Sequence, residues 1–190
     1  MEILAVPTPE AWLPLALSAF DAVLVDHAHC EKKAAASAIA LVNQYPDNAN
    51  LVRRCVGLAQ EELRHFKQVH RIVLKRGLTL TRDPGDPYAR ALLAELRHGA
   101  EERLVDRLLV SSLIEARSCE RLALLGSSLD DPELARFYRG LATAEAGHHR
   151  LFVQLALEAA GKAVVAARLA ALAARESEIM LALPVAPRIH

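Results

Sequence analysis

The stretch EELRHF, residues 61–66, sets Glu61, Glu62 and His65 within one helical turn, in a segment whose apolar residues otherwise recur at core-forming spacing. A second stretch, EAGHH at 145–149, repeats the arrangement, with Glu145 standing 83 residues after Glu62. In both, a glutamate is followed at i+3 by histidine: Glu62 with His65, and Glu145 with His148. Each has an upstream glutamate at matching distance inside a helical pattern. Glu31 precedes Glu62 by 31 residues, and Glu115 precedes Glu145 by 30. The chain reads as a weak internal duplication: Glu on one helix, Glu-x-x-His on the next, twice.

Around these stretches the breakers mark out long helices. A first helix is predicted from near Pro14 to about Val42, before NQYPDNAN. A second runs from Asp47 or Asn48 as cap to Arg76, with Gly77 as its stop. TLTRDPGDPYAR, residues 79–90, is a turn-rich crossover in which Asp86 and Pro87 open a short helix ending near His98. A third long helix is expected over Glu101 to Leu125, stopped by Gly126. A fourth starts at Asp131-Pro132 and ends before Gly161, and a fifth runs from about Lys162 to Leu183. No strand alternation is evident. The expected fold is all-α: a four-helix bundle made of two helix pairs joined by a crossover connection, with an extra C-terminal helix. At 190 residues it forms a single domain, with a bundle core over about 15–160, an added helix over about 162–183 and a loose PVAPRIH tail.

Composition narrows the chemistry. Net charge is zero, so contact with nucleic acid needs a local patch. Cys30, Cys55 and Cys119 are odd in number and form no CxxC, which argues against a zinc ribbon, a rubredoxin-type iron site or a disulfide framework. The N-terminus carries acids where a secretory signal would be basic, and Pro7 and Pro9 interrupt it. No run reaches membrane-spanning length, and AVVAARLAALAA is broken by Arg168. A cytoplasmic protein is expected.

Residues at i and i+3 share a helix face, so Glu and His there can hold one metal ion together. Four carboxylates and two imidazoles suit a pair of iron or manganese ions, and thiolates are absent from the set. Without metal, so many ionisable groups in a helical core would be costly. An i+4 register, Glu61 with His65 and Glu145 with His149, is the other way to pair them, but matching positions in the two halves favour i+3. Glu61, Glu120 and His149 then read as outer or surface residues. His27 and His29 read as hydrogen-bonding groups, Cys30 and Cys119 as small core residues, and Tyr138 as an ordinary core tyrosine.

DHAHCEKKAA, EELRHF, IEARSCERLALL and EAGHH, taken together, resemble the MiaE family of tRNA 2-methylthio-N6-isopentenyladenosine hydroxylases. The resemblance covers roughly residues 20–160. It implies six ligands for two iron ions: Glu31, Glu62, His65, Glu115, Glu145 and His148, with the di-iron centre as the catalyst and no separate catalytic residue. It further implies a monooxygenase that uses O2 on the isopentenyl group of a tRNA adenosine beside the anticodon. No flavin or nicotinamide fingerprint occurs in the chain, so the electrons come from a separate donor protein. The alternative is another ferritin-like di-metal protein, either a small-molecule oxidase or hydroxylase or an iron-storage protein.

Residues 53–82 hold eight Lys/Arg against two acids. Arg64, Lys67, Arg71 and Lys75 follow steps of three and four, and Arg76 extends the stripe. By helical geometry the stripe points well away from the Glu62/His65 face. It is equally read as a tRNA phosphate surface or as a plain solvated face.

Overall fold

The computed structural model describes residues 3–190, and all regular structure among them is helical. Six helices follow in order: α1 Trp12–Ser18, α2 Phe20–Gln44, α3 Ala49–Lys75, α4 Pro87–Leu93, α5 Ala100–Ser128 and α6 Pro132–Ala182. They fall into two compact units. One comprises Ser18–Pro84 with Pro187–Ile189; the other comprises the chain up to Leu17, Gly85–Ala186 and His190.

The first unit is the α2/α3 hairpin. Buried positions recur along α2 at Phe20, Leu24, His27, Glu31, Ala35 and Ala38, and along α3 at Leu51, Cys55, Leu58, Glu62, His65, Val69 and Val73. Steps of three and four keep each set on one face, so two glutamates and two histidines occupy places that periodicity gives to apolar residues. Asn48 caps α3 through its side chain, accepting from Leu51 N at 3.0 Å. At the other end Leu78 N bonds Val73 O and Gly77 N bonds Leu74 O, closing the helix where the sequence placed its stop. Ile189 is buried, and its N–H donates to Asp26 Oδ2 at 2.8 Å, so the tail expected to be loose is held here.

The second unit is built on α5 and α6, with α1, α4 and the N-terminal segment. Three expectations change in it. The helix predicted from Pro14 to Val42 is two helices, broken at Ala19 (φ −118°, ψ 37°). Its first piece belongs to this unit, where Trp12 is fully buried with the Arg121 guanidinium 5.0 Å above its ring. The short helix α4 ends at Leu93, earlier than His98. Gly126, read as a stop, lies inside α5, which continues to Ser128. A Cβ there would stand 2.8 Å from Arg139 Cγ and 2.9 Å from Arg139 N, so this glycine serves the close approach of α6 and does not terminate α5. Gly161 does break the next helix: at φ 76°, ψ 167° it kinks α6, and residues beyond it form the added C-terminal helix.

That C-terminal part is fastened by buried charge. Arg117 on α5 bonds Glu176 on α6 through Nε and Nη2 at 2.8–3.0 Å, and both side chains are fully buried. Tyr88 on α4 donates to the same carboxylate at 2.8 Å. Asp106, also fully buried, accepts from Arg97 and Arg168 at 2.8–3.0 Å. Burial raises its carboxyl pKa, but these guanidinium bonds outweigh that and hold it well below the usual range.

Candidate metal centre

In the α2/α3 hairpin, Glu31, Glu62 and His65 each offer a ligand atom within 4.8 Å of the others, and all three are buried. His65 Nδ1 stands 3.5 Å from Glu31 Oε2 and 3.6 Å from Glu62 Oε2. These separations are long for hydrogen bonds. Two ligands bound at roughly 2.1 Å to one ion lie about 3.0–3.4 Å apart, so a small inward movement would seat a cation among them. His27, one turn before Glu31 on α2, donates from Nε2 to Glu31 Oε1 at 2.7 Å. Among the described residues Glu31 Oε2 has no hydrogen-bond partner although buried. Burial pushes the Glu31 carboxyl up, but the His27 hydrogen bond and then His65 outweigh it, and the net direction is down. The group is therefore held ionised, as a metal ligand must be.

In the α5/α6 unit, Glu115, Glu145 and His148 form the matching cluster, again buried and with ligand atoms within 4.8 Å. His148 Nδ1 lies within hydrogen-bond distance of Glu145 Oε2, at 3.0 Å. Each cluster thus joins two carboxylates and one imidazole without sulfur, a donor set suited to iron or manganese. Cys119 lies near, but burial and then the Glu145 charge push its thiol up, and it donates to Ala142 O at 3.2 Å. Cys30, buried in the hairpin, has its sulfur 3.7 Å from Asp26 Oδ2.

The remaining sequence candidates divide. His29 hydrogen-bonds Lys32 at 3.1 Å, and burial followed by Lys32 lowers its pKa. Tyr138 is a fully buried core residue in edge contact with Phe137. Glu61 and His149 are half-buried, outside both clusters. Glu120 accepts from Thr8 N at 3.0 Å and from Arg117 Nη1 at 2.6 Å, so its role is to hold the N-terminal segment. Arg64, Lys67, Arg71, Lys75 and Arg76 are all exposed on or just after α3. Arg76 is also engaged with Asp21 at 2.7 Å and with the Phe20 ring at 5.5 Å.

Sequence reasoning passed over Arg117 and Glu176. A charged residue in an otherwise apolar helix was the available signal, yet the two are 59 positions apart and belong to no repeated pattern. It also passed over a cavity of about 410 Å³, formed by segment 3–7 with Ala116, Cys119, Glu120 and His149.

Comparison with known proteins places this geometry. The family model described as tRNA-(MS2IO6A)-hydroxylase (MiaE) matches residues 1–190. The chain belongs to the MiaE family. A tRNA 2-(methylsulfanyl)-N(6)-isopentenyladenosine(37) hydroxylase of Pseudomonas putida is 40% identical over 177 residues, covering 93% of this chain and 86% of that protein. A hydroxylase of the same name from Salmonella typhimurium is 29% identical, covering 82% of this chain and 76% of its own. Among solved structures, a Synechococcus protein described as having aldehyde deformylating oxygenase activity superposes with a TM-score of 0.95. It is 36% identical, over 100% of this chain and 96% of that one. The fold is all-α, as the helical periodicity implied, and ferritin-like, as the family resemblance implied. Among the described residues no helix is long and apolar enough to cross a membrane.

Proposed function

We propose that this MiaE-family chain is an iron-dependent monooxygenase that hydroxylates the isopentenyl side chain of 2-methylthio-N6-isopentenyladenosine in tRNA. The observation that carries the reading is the family match over all 190 residues, joined to two buried Glu/Glu-x-x-His clusters. In this reading the whole chain acts as one domain, and Glu31, Glu62 and His65 hold one iron while Glu115, Glu145 and His148 hold the other. Bound iron would supply O2 activation, with one oxygen atom entering a C–H bond of the substrate and the other leaving as water, using two electrons and two protons.

The protein's own residues have definite tasks. The four ligand carboxylates offset the charge of the ions, and the two imidazoles complete the sets. His27 fixes Glu31 by its hydrogen bond, leaving Oε2 available as the ligand atom. Apolar neighbours such as Ala28, Ala35, Leu58 and Val69 on the hairpin, and Leu113, Leu141 and Phe152 in the other unit, exclude water around the acids. The exposed Arg64, Lys67, Arg71, Lys75 and Arg76 would neutralise tRNA phosphates. Electrons would come from a separate donor protein, and work on tRNA puts the enzyme in the cytoplasm.

A second reading is favoured by one observation, the 36% identity to a chain described with aldehyde deformylating oxygenase activity. It keeps the same metal clusters and replaces the tRNA with a small aldehyde. Mass spectrometry of nucleosides separates the two. Isopentenylated tRNA incubated with iron-loaded protein, O2 and a reductant should gain one oxygen on the modified adenosine. No gain, together with turnover of an aldehyde, would replace the first reading by the second.

A further inference from the structure

The cavity beside α5 and α6 has no part in holding metal, yet its walls are in register with the metal-cluster residues. Cys119 lies four residues after Glu115, and His149 four residues after Glu145, so each is one turn along the same helix face. Ala116, adjacent to Glu115, forms part of the same wall. Glu120, bound to Thr8 and Arg117, completes the lining together with the backbone and aliphatic side chains of Ile3 to Pro7.

This aliphatic wall is fixed in place. Arg117 Nη2 donates to Val6 O at 3.1 Å, and Thr8 N donates to Glu120 at 3.0 Å. The roof of the cavity is therefore pinned by the fully buried Arg117–Glu176 pair. Of the two ionisable side chains in the lining, Glu120 is already engaged by Thr8 and Arg117, and His149 stands apart from it. His149 Nδ1 is buried and has no hydrogen-bond partner among the described residues, while the backbone carbonyl of the same residue is held by Ser112 Oγ at 2.9 Å. Buried nitrogens of this kind are almost always bonded, which marks Nδ1 as a position for a ligand atom. A cavity of about 410 Å³ is large enough for more than an alkyl group, since roughly 150 Å³ accommodates benzene.

We propose that this cavity receives the modified base: the branched five-carbon chain of an N6-alkylated purine packs on the aliphatic wall, and His149 Nδ1 bonds a purine nitrogen. The inference rests on the tRNA hydroxylase reading and adds the place where the substrate is held. The lining suits that occupant and disfavours an unmodified adenosine, which has no apolar arm for the wall formed by Val6, Pro7 and Ala116. It also gives Cys119 a use as a reporter, since the thiol is half-buried in the lining while Cys30 and Cys55 are buried.

The test uses the full-length, iron-loaded protein under anaerobic conditions, so that binding is read without turnover. N6-isopentenyladenosine should bind and slow alkylation of Cys119 by iodoacetamide, and adenosine at the same concentration should do neither. Ala116→Leu, which fills the cavity from α5, and Val6→Trp, which fills it from the roof, should each weaken nucleoside binding at least about tenfold. His149→Ala should weaken it by about tenfold through loss of one buried hydrogen bond. Iron content and helical circular dichroism should remain at wild-type levels in at least one filling variant and in His149→Ala. Wild-type nucleoside affinity in a folded, iron-replete filling variant would overturn the proposal, as would equal protection of Cys119 by adenosine. If the wild-type protein hydroxylates tRNA while the filling variants bind the nucleoside normally, the pocket is wrong and the function stands. If wild-type protein fails to oxidise the tRNA base, the functional reading itself has failed.

Discussion

The two clusters carry the same ligand pattern in different surroundings. On α2 and α3, Glu31 is held by His27 one turn earlier, and His65 stands 3.5–3.6 Å from two carboxylates. On α5 and α6, the residue one turn before Glu115 is Ser111, and the imidazole instead bonds its own i+3 partner, His148 to Glu145 at 3.0 Å. The surroundings differ as well. The first hairpin presents an exposed cationic stripe, whereas the second unit has a cavity and a roof pinned by buried ion pairs. The repeated Glu/Glu-x-x-His pattern thus sits in two halves that have diverged: one pairs a tightly held carboxylate with an exposed cationic face, and the other has a cavity beside it.

The largest effect is expected at the proposed ligands. Glu62→Ala and Glu115→Ala should each lower hydroxylation by at least about 100-fold and reduce bound iron, because ligand loss exceeds the ~10–100-fold effects of outer partners. Retained iron and activity in either variant would remove that half from the account. The next largest effect is on stability. Arg117→Met leaves Glu176 buried without its guanidinium and should cost about 3–5 kcal/mol in urea unfolding. Arg76→Ala removes a pair whose side chains are 40% and 52% exposed, and it should cost less than about 1 kcal/mol. Equal losses would mean that burial does not separate the two pairs.

His27→Ala sharpens the contrast between the clusters. It should weaken iron binding by about tenfold or more at one site only, giving an intermediate iron content, whereas Ser111→Ala should change little. The smallest effect is expected at the stripe. Replacing Lys67, Arg71 and Lys75 with Ala should leave iron unchanged and flatten the salt dependence of tRNA binding by about 0.7–0.9 per residue on a log–log plot. An unchanged slope would assign the stripe to plain solvation.

The duplication was legible because metal ligation needs specific residue types at fixed helical offsets, and Glu62/His65 and Glu145/His148 satisfy the same offset twice. Helix ends were legible where a local motif sets them, as with Asn48, Asp86 and Asp131 as caps and Gly77 as a stop. Gly126 misled because a glycine needed for tertiary approach looks the same in sequence as one needed to end a helix. The break at Ala19 left no signal, since neither glycine nor proline marks it and the packing of Trp12 beneath Arg121 is a long-range event. Arg117–Glu176 and the cavity were illegible for the same reason: both depend on partners brought from distant segments, which no local period encodes.

The most direct test of the account is the iron content of the purified, reconstituted chain, measured alongside variants that remove one histidine at a time. The expectation is two iron ions per chain in the wild type, a loss with His65→Ala, a loss with His148→Ala, and little iron when both are changed. One iron per wild-type chain, or two iron ions retained in the double variant, would contradict it.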